Sequence, residues 1–176
     1  LLNELVPAGD DFLAQVCLEW EKATQGAELS GIRVINLRFS AILGKKAGAL
    51  ARMLPIFKLG LGGAIGNGKQ IFSWIALDEI PLIIEHLIYK ATDVHGAVNL
   101  CAPQTVTNAE YTRILGNILN RPTVFPLPSF AARTTFGEMA DALLLSSANV
   151  VPKKLEESGY VFKYGQLEPA LREILK

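Results

Sequence analysis

Residues 32–38, Ile32-Arg-Val-Ile-Asn-Leu-Arg38, follow Gly31 as a run rich in branched apolar side chains, the signature of a buried strand. Further on, Ile80, Ile83, Ile84, Leu87 and Ile88 recur at the i, i+3, i+4, i+7, i+8 spacing of a helix with one core-facing stripe. Gly96-Ala-Val-Asn-Leu100 then reads as a second short strand. Strand, helix and strand in alternation leave few architectures open, and they predict an α/β protein with parallel pairing.

The rest of the chain fits that frame. Asp10 or Asp11 caps a helix over residues 11–25, with Phe12, Leu13, Val16, Cys17 and Trp20 as its apolar stripe. A helix over about residues 49–59 is expected to be interrupted or bent by Pro55. Residues 70–75 are extended, and Asp78 is the expected cap of the isoleucine-rich helix. Thr107-Asn-Ala-Glu110 is a capping box opening a helix with Tyr111, Ile114, Leu115, Ile118 and Leu119 on one face, and Arg121-Pro122 ends it. Residues 123–127 read as a short strand, and residues 128–145 as largely helical with a break at Gly137. Pro152 starts a short helix that stops at Gly159, residues 160–164 are extended, and a last helix carries Leu167, Leu171, Ile174 and Leu175. Residues 101–176 therefore form a more helical lobe.

Composition narrows the function. Half of the 176 residues are hydrophobic and the formal net charge is zero, with no long Lys/Arg cluster, so neither nucleic acid nor an anionic membrane is an expected partner. No apolar stretch approaches the ~20 residues of a membrane helix. Cys17 and Cys101 belong to no metal or disulfide motif and are expected to be reduced, buried thiols in a cytoplasmic protein. The first residue is Leu1 and no leader is evident, which suggests a piece of a longer protein.

Residues 63–70, Gly63-Ala-Ile-Gly-Asn-Gly-Lys-Gln70, fall one residue short of the phosphate-loop pattern G-x-x-x-x-G-K-[ST]. Gln70 stands where a hydroxyl should hold Mg²⁺, an apolar extended run follows in place of a helix, and helix rather than strand precedes. The glycines have two readings. One is a surface turn, the other a loop whose backbone passes close to a ligand.

Several segments together carry a resemblance. They are residues 10–21 (Asp-Asp-Phe-Leu-Ala-Gln-Val-Cys-Leu-Glu-Trp-Glu), residues 37–44 (Leu-Arg-Phe-Ser-Ala-Ile-Leu-Gly) and the run from Met53 through the glycines to Gln70-Ile-Phe-Ser-Trp-Ile75. Val98-Asn-Leu-Cys-Ala-Pro103, Thr107-Asn-Ala-Glu110 and Gly137-Glu-Met-Ala140 continue it. From about residue 7 to the end, the order of segments resembles the atypical extended short-chain dehydrogenase/reductases known as epimerase-family proteins, which end in a domain of unknown function. The resemblance implies the C-terminal part of a Rossmann-like doubly wound fold with a smaller, more helical substrate-side lobe. Residues 1–100 would belong to the NAD(P)-binding domain and its cleft loop, and residues 101–176 to the C-terminal lobe. The implied cofactor is NADP, with NAD the alternative, held mainly by residues that precede this chain in the family.

Departures from the family matter as much. The Gly-rich dinucleotide turn is absent from residues 1–30, and the first helix has no Tyr and only Lys22 where a Tyr-x-x-x-Lys pair would fall. Ala76 stands where many relatives have a His after the Trp-Ile pair. Catalytic residues are thus unassigned, no metal site is expected, and the chain by itself is expected to be inactive. The resemblance nominates Ser40, Ala41 and Ile42 at the nicotinamide end, through backbone contacts; a plain strand end entering the core explains them equally. It also nominates Gly62, Gly63, Gln70, Ser73 and Trp74 on the substrate side, where an amide, a hydroxyl and a flat ring orient a ligand. For Trp74 the alternative is a core role. Lys58, with Arg52 and Lys69, would meet phosphates of a nucleotide-linked substrate or form a solvated basic face. Arg38 within an apolar strand needs a carboxylate or carbonyl partner that cannot be read from the residues. His86 and His95 read as surface residues.

Three functions stay open. They are a short-chain oxidoreductase or epimerase of which this is one part, a non-catalytic nucleotide sensor on the same fold, and a stand-alone α/β binding module. A small-molecule substrate is expected in the first case, and the protein's own N-terminal half or a second copy is the expected protein partner.

Overall fold

A computed structural model of the chain describes residues 1–126 and 147–176. In order, the elements are α1 (Phe12–Lys22), α2 (Gln25–Leu29), β1 (Ile35–Phe39), β2 (Ala41–Leu43), α3 (Gly48–Lys58), β3 (Ile71–Phe72), β4 (Trp74–Ala76), a 3-10 turn (Leu77–Glu79), α4 (Ile80–Tyr89), β5 (Gly96–Leu100), β6 (Val106–Thr107), α5 (Asn108–Leu119), α6 (Lys153–Glu157) and α7 (Leu167–Leu175). The expectations for residues 127–146, including the Gly137 break, lie outside the described residues. No helix among the described residues is long and apolar enough to cross a membrane.

Parallel pairing is present as predicted. Strand β1 pairs with β5, Ile35 opposite Gly96 through Phe39 opposite Leu100, and β2 pairs with β4, Ala41 opposite Trp74 through Leu43 opposite Ala76. Among the described residues the short β3–β6 pair is antiparallel, as is the isolated bridge between Leu43 and Gly48. Two buried clusters form the core. Leu43, Leu54, Phe57, Trp74, Ala76, Tyr111, Leu115 and Leu171 lie in one. Ile75, Ile83, Leu87, Val98, Leu100 and Leu155 lie in the other. Because successive side chains of a strand point to opposite faces, Trp74 and Ala76 enter the first cluster and Ile75 the second. Each cluster draws residues from both sides of residue 100.

Helix ends follow local chemistry in some places and not in others. Asp11 caps α1 by accepting from Ala14 N–H at 2.9 Å, and Thr107 and Glu110 form the predicted capping box of α5. Asp78 does not cap α4; it lies inside the 3-10 turn, and no side chain caps that helix. Helix α3 runs unbroken through Pro55. Residues 70–75 divide into β3 and β4 with Ser73 between them, and residues 123–126 carry no strand. At the far end of α4, the Arg33 guanidinium donates to the carbonyl of Leu87, one of the last-turn groups a helix leaves unpaired, and to those of Ala91 and Val94 just beyond it.

The N-terminal third departs from expectation in its burial. No residue of α1 is buried, Phe12 is 79% and Trp20 71% exposed, and Cys17 is exposed while Cys101 is buried. Strand β1 is only half-buried, starting at Ile35 rather than residue 32. The physical reason is coverage. Among the described residues β1 is paired along one edge alone, and the apolar stripe of α1 is at most partly covered. His86, read as a surface residue, is half-buried and shares a 3.0 Å hydrogen bond with Ser158.

Glu79 ties the C-terminal region to the centre. Its carboxylate is 1% exposed and accepts from the Tyr160 hydroxyl at 2.5 Å and from the N–H groups of Lys163 at 3.2 Å and Tyr164 at 2.6 Å. Burial, and then the bond to Glu79, push the Tyr160 phenol above its ordinary range, so it stays a donor. Glu79→Ala strands three donors and a cavity and should cost about 3 kcal/mol or more in urea unfolding, with Glu79→Gln less damaging because an acceptor oxygen is kept.

Candidate functional site

The chain changes pairing partner at Ser40. Strand β1 ends against β5 at Phe39 and Leu100, and β2 begins against β4 at Ala41 and Trp74. Ser40 bridges the switch, donating to the Leu100 carbonyl through both its N–H, at 3.1 Å, and its hydroxyl, at 3.0 Å. The next N–H, of Ala41, donates to the Ser73 carbonyl at 3.2 Å. Carboxyl ends of parallel strands, where pairing changes, are where α/β folds hold ligands. The fold thus brings Ser40, Ala41 and Ile42 beside Ser73 and Trp74, an arrangement the sequence segments did not reveal.

The glycine segment has protein neighbours. The carbonyls of Gly68 and Gln70 accept the N–H groups of Ala109 and Asn108 at 3.0 and 2.9 Å, so the segment caps the start of α5. The Asn108 side chain returns the contact by accepting from Ile65 N–H at 2.8 Å. A phosphate loop presents N–H groups to an anion, whereas these carbonyls face a helix N-terminus. Gly63 passes so close to the backbone of Phe125 that an added Cβ would sit 1.8 Å from its carbonyl oxygen. At Gly62 a Cβ would meet the Phe57 ring at 2.7 Å. Close approach is therefore the cause of both glycines, and the group approached is the chain itself.

The polar candidates are also engaged. Gln70 donates from Nε2 to the Ile65 carbonyl at 3.0 Å. The Ser73 hydroxyl donates to the Ala148 carbonyl at 2.6 Å and accepts from Val150 N–H at 3.0 Å. Trp74 is fully buried, with its indole N–H on the Gln104 carbonyl at 2.8 Å, which puts it in the core rather than on an accessible face. Lys58 is exposed at the last turn of α3, and its carbonyl accepts from Arg121 Nε at 2.7 Å. Arg52 and Lys69 are exposed as well. No cluster of metal-ligating side chains occurs among the described residues.

Two polar partners went unread in the sequence. Arg38 finds Glu21 of α1 in a two-pronged ion pair, Nε to Oε1 at 2.6 Å and the terminal nitrogen to Oε2 at 2.8 Å. Glu4 is buried and accepts from Asn99 N–H at 3.1 Å and Lys154 N–H at 3.3 Å, tying residues 1–6 to β5 and α6. Nothing local marks either carboxylate, since both partners lie far along the chain. The Cys101 thiol, pushed up to about 12 by burial, is a packed group without nucleophilic character.

These contacts have measurable consequences. Gly63→Ala should destabilise by about 2 kcal/mol or more, because backbone must move. Gly26→Ala, where an added methyl meets nothing within 4 Å, should be neutral or slightly stabilising in the same denaturation assay. The Arg38 hydrogen bond holds the Glu21 carboxyl below its ordinary 4.5. A depressed folded value means that the stabilisation is complete above the ordinary value and vanishes as pH falls through the folded one. Glu21→Gln should therefore cost about 1 kcal/mol at neutral pH, partial exposure weakening the pair, and nothing at acid pH where both forms are uncharged. Urea midpoints at the two pH values check the sign.

Known proteins resemble this chain in sequence and in fold. A family described as a domain of unknown function (DUF1731) matches residues 127–174. An epimerase family protein of Mycobacterium tuberculosis is 42% identical over 171 residues, covering 97% of this chain and 56% of its own length. The crystal structure of the human epimerase family protein SDR39U1 with NADPH superposes with a TM-score of 0.90 at 36% identity, covering 98% of this chain and 58% of that one. A nucleoside-diphosphate sugar epimerase from Corynebacterium glutamicum follows with a TM-score of 0.76 at 33% identity, covering 98% and 33%. The chain spans between 50% and 59% of the length of the curated relatives it matches. Its α/β fold is similar to that of the Rossmann-like epimerases, and in sequence and fold the chain matches the C-terminal part of the epimerase family proteins.

Proposed function

We propose that the chain is the substrate-side part of an NAD(P)-dependent oxidoreductase or epimerase-like protein, inactive by itself. The observation that carries this reading is the partner switch at Ser40, at the carboxyl ends of parallel strands, in a fold that superposes on a human relative solved with NADPH. Residues 1–100 would then be the C-terminal portion of the NAD(P)-binding domain and residues 101–176 the substrate-side lobe. NADP is the expected cofactor and NAD the alternative. When bound it supplies or accepts a hydride.

The chain's own residues fit one end of such a cofactor and not the whole. The N–H groups of Ser40 and Ala41 are already bonded to Leu100 and Ser73, so residues 40–42 would offer the nicotinamide ring a fixed, largely apolar surface. In the glycine segment the N–H groups of Ile65, Gly68 and Lys69 are already bonded to Asn108, Ile65 and Asn67, so the pyrophosphate would fall to residues that precede this chain in the relatives. On the substrate side, Gln70 and the exposed Lys58 would meet a small, nucleotide-linked substrate, with Gly62 and Gly63 shaping the loop between them. Ser73 and the buried Trp74 would support that wall from behind.

A specific observation favours a second reading, a nucleotide sensor without catalysis. Helix α1 holds no Tyr, and its Lys22 is ion-paired with Glu19 at 2.7 Å. Fluorescence titration separates the readings. A protein of the relatives' length should bind NADPH saturably, more tightly than NADH, and the 176 residues alone should not. No binding by the longer protein would leave a cofactor-free binding module. Oxidation of bound NADPH by a panel of carbonyl compounds would favour the enzyme over the sensor.

A further inference from the structure

Ser73 stands between β3 and β4, only 8% exposed, and makes three hydrogen bonds in two directions. Its carbonyl accepts the N–H of Ala41 at 3.2 Å, at the partner switch. Its hydroxyl donates to the Ala148 carbonyl at 2.6 Å and accepts the Val150 N–H at 3.0 Å. A hydroxyl is the small side chain that can satisfy a C=O and an N–H together. The neighbouring contacts reinforce the second direction. Ile71 N–H donates to the Ser147 hydroxyl at 3.0 Å, and Asn149 accepts at its side chain from Thr105 at 3.2 Å and at its carbonyl from Leu2 N–H at 2.7 Å.

We infer that Ser73 is a positioning residue, coupling the strand switch at residues 40–42 to residues 147–151 so that the two open and close as one unit. The functional weight of this coupling rests on the proposal that residues 40–42 face the nicotinamide, but the coupling itself does not. Loss of the hydroxyl would strand the Val150 N–H and the Ala148 carbonyl directly. It would reach Ala41 only by moving the backbone of Ser73, since Ala41 bonds to the Ser73 carbonyl and not to its side chain. That indirect effect distinguishes coupling from a local tie.

Residue-resolved amide hydrogen exchange on the 176-residue chain tests the inference without any cofactor. In the wild type, the Ala41 and Val150 amides should show protection within about threefold of each other and the same denaturant dependence, as members of one cooperative unit do. S73A should speed exchange at both by about tenfold, a lost buried hydrogen bond, while Leu115 and Ile118 of α5 hold their rates. S73T, which keeps the hydroxyl, should restore both. Acceleration at Val150 alone would overturn the coupling, as would an equal acceleration of every amide. If S73A does not fold, the wild-type comparison decides, and unequal protection of Ala41 and Val150 overturns the inference. Absence of NADPH binding would remove the proposed function and leave these exchange results unaffected.

Discussion

Both cores meet at β4, and the rest of the chain is arranged around its three residues. Trp74 and Ala76 close one cluster and Ile75 the other, so the strand is a wall with no solvent side. Its pairing with β2 and the bond from Ala102 N–H to the Trp74 carbonyl at 2.7 Å hold it from either side. The turn that follows carries Glu79, whose buried carboxylate gathers residues 160–164. A carboxyl group so deep is sustained by the number of donors it satisfies.

The same strand organises the candidate site. Ser40 to Ile42 run beside Ser73 to Ile75, and the Ser73 hydroxyl reaches residues 148 and 150. Trp74 is engaged in packing. The glycine segment is part of this arrangement as a structural piece. Its carbonyls close the N-terminus of α5 and Gly63 admits the backbone of Phe125.

Among the described residues no residue of α1 is buried and β1 is paired along one edge. Apolar side chains such as Phe12 and Trp20 gain stability only when something excludes water from them. The helix forms because its cap and periodicity are local, and among the described residues none of its side chains is buried.

Much of the architecture was legible along the chain. Helical periodicity, the Asp11 cap, the Thr107–Glu110 capping box and the branched run of β1 act within a few residues, and each produced its element. The family segments were legible too, and with them the nomination of residues 40–42 and 73–74. Their meeting was not, because register between β2 and β4 is set by tertiary packing. Asp78 looked like a cap and became part of a 3-10 turn, and of the two readings of Trp74, ligand surface or core, its burial matches the core one. By itself the sequence determined the main helices, the strands β1 and β5, and that these two pair in parallel. Only the tertiary structure decided that Glu21 answers Arg38, that Phe125 explains Gly63, and that Ser73 and Glu79 bind groups 77 and 81 residues away. Local propensities carry no information across such separations; the partners are chosen when the two cores close on β4.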